Sequence, residues 1–311
     1  MSLLATRQTT AAYGITAFAA VAVWAAATAA TGQIFVGIQG RNAIGEYTTS
    51  GATINATLIS GVTPVGIAVS GGNLFVANTI AGTIGEYTTA GVPVHTTLIS
   101  GLINPAGIAV SGGNIYVANA NGGTIGKYTI SGATVNASLI TGLANPLGIA
   151  VSGDNLFIGM VGGMDGGTIA EYTTAGVPVN TALVTGLNTP ESLAIDGTNI
   201  FVALNDNLTN DGAIGEYTTS GATVNAALVT GLKAPLGIAV LGGDLFVADT
   251  FNNRVGEYTT SGATVNASLL TAGQGVSSPS GIAVVPEPAT FVLASAGLFG
   301  LLPFIRRRIV D

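Results

Sequence analysis

The chain has no cysteine among its 311 residues. A disulfide framework and a thiolate metal site are both excluded, and cysteine usage leaves the redox compartment unmarked. Charge is scarce: 7% of residues are Asp, Glu, Lys or Arg, against about 25% in an average globular chain. Positive charge is scarcer still. Between positions 30 and 284 the basic residues are Arg41, Lys127, Lys233 and Arg254, against 13 carboxylates, so that span carries 4 − 13 = −9 within a chain of net −7. An acidic body without a basic patch argues against nucleic acid as a partner. Histidine occurs once, at His95 in an outer hairpin, so no Ser/His/Asp or Cys/His constellation can be assembled around a central channel. The mean hydropathy is +0.60, which taken alone suggests a membrane protein. Two apolar termini account for part of it, and Thr, Ser, Asn and Gly must cover the surface between them.

What is abundant is repetition. The stretch from Gly237 to Thr271 holds four short apolar runs, Gly237-Ile238-Ala239-Val240, Leu245-Phe246-Val247-Ala248, Val255-Gly256-Glu257-Tyr258 and Ala267-Ser268-Leu269-Leu270. Runs of this length, rich in Val, Ile, Phe and Tyr and bounded by Gly, Asn, Asp and Ser, read as strands. The first run recurs at Gly66, Gly107, Gly148, Ser192, Gly237 and Gly281, 41–45 residues apart. The second recurs six times from Ile34-Phe35-Val36 to Leu245-Phe246-Val247, and the third as Glu-Tyr or, once, Lys127-Tyr128. Four strands per period of about 40–50 residues is the pattern of a β-propeller blade.

The ends of the array fix the blade count. The copy at Ile34 has no first run before it, and the first run at Gly281 has no second or third run after it. Together they make one blade, which closes a six-bladed ring over residues 30–284 and leaves no open sheet edge at the seam. A proline stands two residues before each first run, at Pro64, Pro105, Pro146, Pro190, Pro235 and Pro279, where it marks the start of the innermost strand. Ser192 replaces glycine once, which predicts looser or compensated packing there. The repeated Glu-Tyr predicts Tyr packed between sheets and Glu on the solvent side. The expected fold is thus an all-β propeller of four-stranded blades, with apolar helices at both termini.

The loops after the second strands differ from blade to blade while the strands repeat, and such loops are the usual place for binding. They supply the candidate ligand-binding residues Asp165, Asn205, Asp206, Asp211, Asp249, Phe251, Asn253 and Arg254. The stretch 205–212 is oxygen-rich like a calcium loop, but its spacing does not match the EF-hand pattern, and a polar turn is the plainer reading. His95 lies in Val92-Pro93-Val94-His95-Thr96 and reads as a surface residue of an outer hairpin. Glu191 is the one acidic residue at its position, between the leading proline and the first run, where other blades carry Val65, Ala106, Leu147, Leu236 and Ser280. It is a weak candidate metal ligand, and a solvated carboxylate at the channel mouth is the plainer reading. No cofactor is expected.

Residues 1–29 combine Arg7, an alanine-rich run from Ala11 to Ala27 and a small-x-small site at Ala27-Thr28-Ala29, the pattern of a secretory signal peptide. Leu245 to Tyr258, LFVADTFNNRVGEY, resembles the NHL repeat, and the leading Pro-x-Gly-Ile-Ala-Val matches it as well. The resemblance spans all six blades and is sharp in the last, since the others lack counterparts of Asp249 and Arg254. It implies a six-bladed binding platform. Gluconolactonase-like and streptogramin-lyase-like propellers are related enzymes; the lyases use histidines, and the lactonases hold a divalent metal with Glu, Asn and Asp in the channel. The C-terminus, with Pro286, Glu287 and Pro288, a 17-residue apolar run from Ala289 to Ile305 and then Arg306, Arg307 and Arg308, resembles the PEP-CTERM sorting signal of Gram-negative bacteria. That resemblance implies a precursor held in the inner membrane and cut by an exosortase-type enzyme. The sequence therefore predicts an exported, non-catalytic cell-surface or matrix protein whose partner is an exopolysaccharide or a surface protein. The alternative is a metal-dependent hydrolase of the gluconolactonase-like class.

Overall fold

The computed structural model describes residues 32–162, 166–206 and 208–286. Six four-stranded antiparallel sheets make up this part of the chain. Blade I joins Pro279–Val285 to Gln33–Ile38, Ala43–Thr48 and Thr53–Ser60. Blade II is Pro64–Ser70, Asn73–Asn78, Thr83–Thr88 and Pro93–Ile99. Blade III is Pro105–Ser111, Asn114–Asn119, Thr124–Thr129 and Thr134–Ile140. Blade IV is Pro146–Ser152, Asn155–Met160, Gly167–Thr173 and Pro178–Leu187. Blade V is Thr189–Asp196, Asn199–Asn205, Asp211–Thr218 and Thr223–Lys233. Blade VI is Pro235–Leu241, Asp244–Asp249, Arg254–Thr259 and Thr264–Leu270.

The seam forms as the truncated ends predict. Gln33 lies opposite Val285, Ile34 opposite Val284, Phe35 opposite Ala283 and Val36 opposite Ile282. Each inner strand packs against the inner strands of both flanking blades, including VI on I and I on II, so the ring is closed. Hydroxyl groups reinforce three junctions by donating to the carbonyl of the next blade's leading proline. They are Thr79 to Pro105 at 2.6 Å, Thr250 to Pro279 at 2.7 Å and Ser280 to Pro64 at 2.7 Å.

The second strands are buried on both faces, which is why they read as unbroken apolar runs rather than as alternating ones. Each face enters a different core. Phe75 of blade II packs with Ile108, Val117 and Tyr128 of blade III, while its neighbours Leu74 and Val76 pack with Phe35, Ile44 and Ile59 of blade I. Six such clusters fill the six junctions between blades. Burying a side chain of this kind is worth about 1.5–3 kcal/mol, so the junctions, more than any single blade, hold the ring together.

Glycine sets how closely the inner strands approach. A Cβ on Gly66 would lie 2.2 Å from the Ala106 carbonyl oxygen, and one on Gly281 would lie 2.3 Å from that of Val65. Blade V has Ser192 at this position. Leu193 of the same strand closes on Gly148, where an added Cβ would meet Leu193 Cδ1 at 2.3 Å, so the junction is compensated.

The Glu-Tyr repeat departs from expectation in one half. The tyrosines pack between sheets, but the glutamates are not on the solvent side: Glu46, Glu86, Glu171 and Glu216 are buried. The register explains it. Glu86 lies opposite Phe75 on the face that meets the next blade, and Asn73 Nδ2 donates to its Oε1 at 2.7 Å. Asn155–Glu171 and Asn199–Glu216 repeat the arrangement at 2.7 and 2.9 Å. In blade III the lysine at this position reaches across to blade IV, donating from Nζ to the Thr174 carbonyl at 3.1 Å. Burial holds the carboxyl pKa values of Glu46 and Glu216 above the usual range.

The terminal segments expected to form helices, residues 1–29 and the tail from Glu287, lie outside the described residues. Among the described residues no helix is long and apolar enough to cross a membrane.

Candidate functional site

Two places concentrate chemistry: the face formed by the loops after the second strands, and the axis of the ring. Backbone hydrogen bonds knit the loops of the first place to the connections between blades. Thr79 N donates to Thr63 O, Leu102 N to Gly82 O, Ala120 N to Asn104 O, Leu143 N to Gly123 O and Phe251 N to Lys233 O. The loops and the connections thus share one face, as the antiparallel strand order requires.

Most of the polar residues expected to bind a ligand there are engaged within the fold. Asp249 is fully buried. Its Oδ1 accepts from Lys233 N at 2.7 Å, and its Oδ2 from Asn252 Nδ2 at 2.9 Å and Arg254 Nε at 2.6 Å. Asn253 adopts a left-handed conformation with φ 51°, and its Oδ1 accepts from Ser278 N at 2.8 Å. The sharpest part of the repeat, Asp249 to Arg254, is therefore a turn lock that ties blade VI to both flanking connections. Asp206 organises its own loop, accepting from the backbone of Leu208 at 2.8 Å and Thr209 at 3.3 Å. Exposed Asp211 pairs with Lys233, whose hydrogen bond holds the carboxyl below the usual range. Asp165 lies outside the described residues, as do Glu287, Pro288, Arg306, Arg307 and Arg308; Pro286 is described and exposed.

Phe251 remains, 60% exposed, and three apolar neighbours on this face were missed: Leu208 at 94%, Ile80 at 86% and Ile103 at 60%. The signal was present in the sequence as large aliphatic residues inside turn-rich polar loops. Ile80 and Ile103 lie in the loop of blade II and the connection to blade III, and Leu208 and Phe251 in the loops of blades V and VI, on the opposite side of the ring. A groove of about 580 Å³ between blades I and II runs beside Ile80 over Tyr87. Its counterpart of about 390 Å³ between blades IV and V lies over Tyr217 beside Asp206 and Asp211.

On the axis is a cavity of about 140 Å³ lined by inner-strand residues of all six blades. Glu191 and Ser192 are its polar side chains, and the others are Gly, Ala, Val, Leu or Ile. Glu191 falls in a bulge, between Pro190 opposite Leu204 and Ser192 opposite Ala203, and bulges re-aim side chains. Its side chain is half-buried and lines this cavity. Burial lifts its pKa to about 7, and a side-chain hydrogen bond from Asn205 offsets part of that rise. Asn205 is buried, and its side chain is engaged with Glu191 rather than offered on the loop face. Among the described residues no group of three or more His, Cys, Asp or Glu lies together where it could hold a metal ion. His95 sits on an outer strand with 59% of its side chain exposed, and its Nδ1 lies 2.8 Å from Glu86 Oε2.

No protein-family model matches the chain, and no curated protein does either. Solved structures share its architecture. A chain of a nidogen/laminin complex superposes with a TM-score of 0.69 at 19% identity, covering 82% of this chain and 98% of that one. A gluconolactonase from Xanthomonas campestris gives 0.58 at 14% identity, covering 73% and 80%. A streptogramin B lyase gives 0.52 at 19% identity, covering 77% and 74%. One is part of a protein complex and two are enzymes, so what these structures share with the chain is the fold: it is a six-bladed, all-β propeller.

Proposed function

We propose that this propeller is a non-catalytic binding protein of the cell surface or extracellular matrix, and that it holds its ligand on the loop face. One observation carries the reading. Most of the polar groups expected to bind on that face are engaged within the fold, yet Ile80, Ile103, Leu208 and Phe251 stand out from it into solvent. Exposed valines also stand on the outer strands, but these four belong to loops and connections of one knitted face, and loops held on a constant scaffold are the usual place for binding. Their placement on opposite sides of the ring suits an elongated ligand lying across its mouth. A polysaccharide fits that description, since sugar rings present apolar C–H faces to such side chains and hydroxyls to the Asp206 and Asp211 loop. Export is supported by the signal-peptide pattern of residues 1–29 and by the resemblance of the tail from Pro286 to a sorting signal.

The test is binding to exopolysaccharide extracted from a producing bacterium. Phe251→Ala and Leu208→Ser should each weaken binding by about tenfold, the worth of one well-placed apolar contact of roughly 1–2 kcal/mol. His95→Ala, on the outer strand, should not change it. A second reading, a metal-dependent lactone hydrolase, is favoured by Glu191 on the axis. Lactone turnover that requires a divalent metal and vanishes in Glu191→Ala would install it in place of the binding reading.

A further inference from the structure

The axial cavity is a second site, independent of the loop face. Its carboxyl has no counterpart in the other blades, which place Val65, Ala106, Leu147, Leu236 and Ser280 at the same position. Ring closure does not need it, because five junctions close without it. An ionised carboxylate in an apolar space is unfavourable unless something pairs with it. A half-buried carboxyl lining a cavity of otherwise apolar side chains is the kind of group that marks a binding site.

The lining decides the class of ligand. A hard divalent cation takes six to eight oxygen ligands, and the side chains here offer one carboxyl and one hydroxyl. An organic ammonium group needs one anionic partner, brings its own donors, and carries an apolar tail that this lining can desolvate. Size agrees as well: an engineered apolar cavity of about 150 Å³ holds a molecule the size of benzene, and this one measures about 140 Å³. We propose that the axial cavity binds a compact primary amine, with its ammonium on the Glu191 carboxylate and its short apolar tail against Ile67, Ile108, Ile149 and Ile238. Glu191 is the single titratable side chain among the lining residues of the six inner strands, so the pH dependence of binding reports on it. With a carboxyl pKa of about 7, the ionised form that the ammonium requires dominates above neutrality.

The probe is n-butylammonium chloride, titrated calorimetrically into the purified full-length chain, with n-butanol as the uncharged match. The affinity for butylammonium should rise by roughly tenfold between pH 6 and pH 8, as the carboxyl ionises. At pH 8 it should exceed that for butanol by about tenfold or more, the worth of one hydrogen bond to a charged group. Glu191→Gln should abolish both differences. Ala106→Leu, which introduces the side chain that Leu147 and Leu236 already place at this position, should abolish binding of both probes. Equal affinity for the two probes, or butylammonium binding that survives Glu191→Gln and Ala106→Leu, overturns the proposal. So does competition by millimolar Ca²⁺ or Mg²⁺, which would make this a metal site. Should Ala106→Leu fail to fold, the comparison of probes and the Glu191→Gln variant decide the matter by themselves.

Discussion

Arg254 donates from Nε to Asp249 Oδ2 at 2.6 Å, and the carboxylate it meets has no solvent exposure at all. The same carboxylate accepts two further hydrogen bonds, from Lys233 N and Asn252 Nδ2. Removing one partner of a buried, hydrogen-bonded pair leaves the other uncompensated, at a cost of about 3–5 kcal/mol. Asp249→Ala should therefore lower the unfolding free energy by about 3 kcal/mol in chemical denaturation. Arg254→Ala should cost less, since two donors remain, and the double variant should be close to Asp249→Ala alone. Fully additive losses would show that the two side chains do not act as a unit.

The pairing of Pro279–Val285 with Gln33–Ile38 closes the ring. Ending the chain after Ser278 should expose the second strand of blade I and the inner strands on either side of it. We expect loss of the cooperative unfolding transition and the onset of self-association through the uncovered edge. A truncated protein that unfolds at the same denaturant concentration as the full chain would show that closure contributes little.

Glu191 gives the ring a pH dependence of known sign. Its carboxyl is raised from 4.5 to about 7 by burial. Between those values the folded state keeps a proton that the unfolded chain has released, so stability falls as pH rises through this window and levels off above it. The difference between wild type and Glu191→Gln should shift against the wild type by roughly 3 kcal/mol at most from pH 4 to pH 8. Glu46, Glu216 and Glu257, also raised by burial, slope the same way in both proteins and cancel. A difference that does not vary with pH would place Glu191 in water.

In a host with the sorting enzyme, surface material should lack Ala289 to Asp311, and Glu287→Ala should leave the precursor in the inner membrane. Mass spectrometry of the surface fraction reads the C-terminus directly. An intact tail there contradicts the sorting proposal.

The fold was legible because each blade repeats its chemistry. A proline, a glycine at the point of closest approach and an apolar run buried on both faces recur at one spacing, and the complementary ends announce the seam. The site was less legible, because loop composition does not say which polar groups the fold itself uses. Asp249, Asn253 and Arg254 look like ligand groups and are turn locks. The Glu-Tyr strands suggested a solvated stripe, since strand alternation gives the face but not what covers it; here the next blade does. Glu191 stood out as unlike its counterparts, but its place among six blades' apolar side chains is a fact of tertiary structure.

The claim that the loop face is the binding surface is tested most directly by amide hydrogen exchange with and without bound exopolysaccharide. Slowed exchange should concentrate in 78–82, 101–104, 208–211 and 249–254, with the outer strands and the turns of the opposite face unchanged. Slowing confined to the outer strands, or to the inner strands around Glu191 alone, would contradict it.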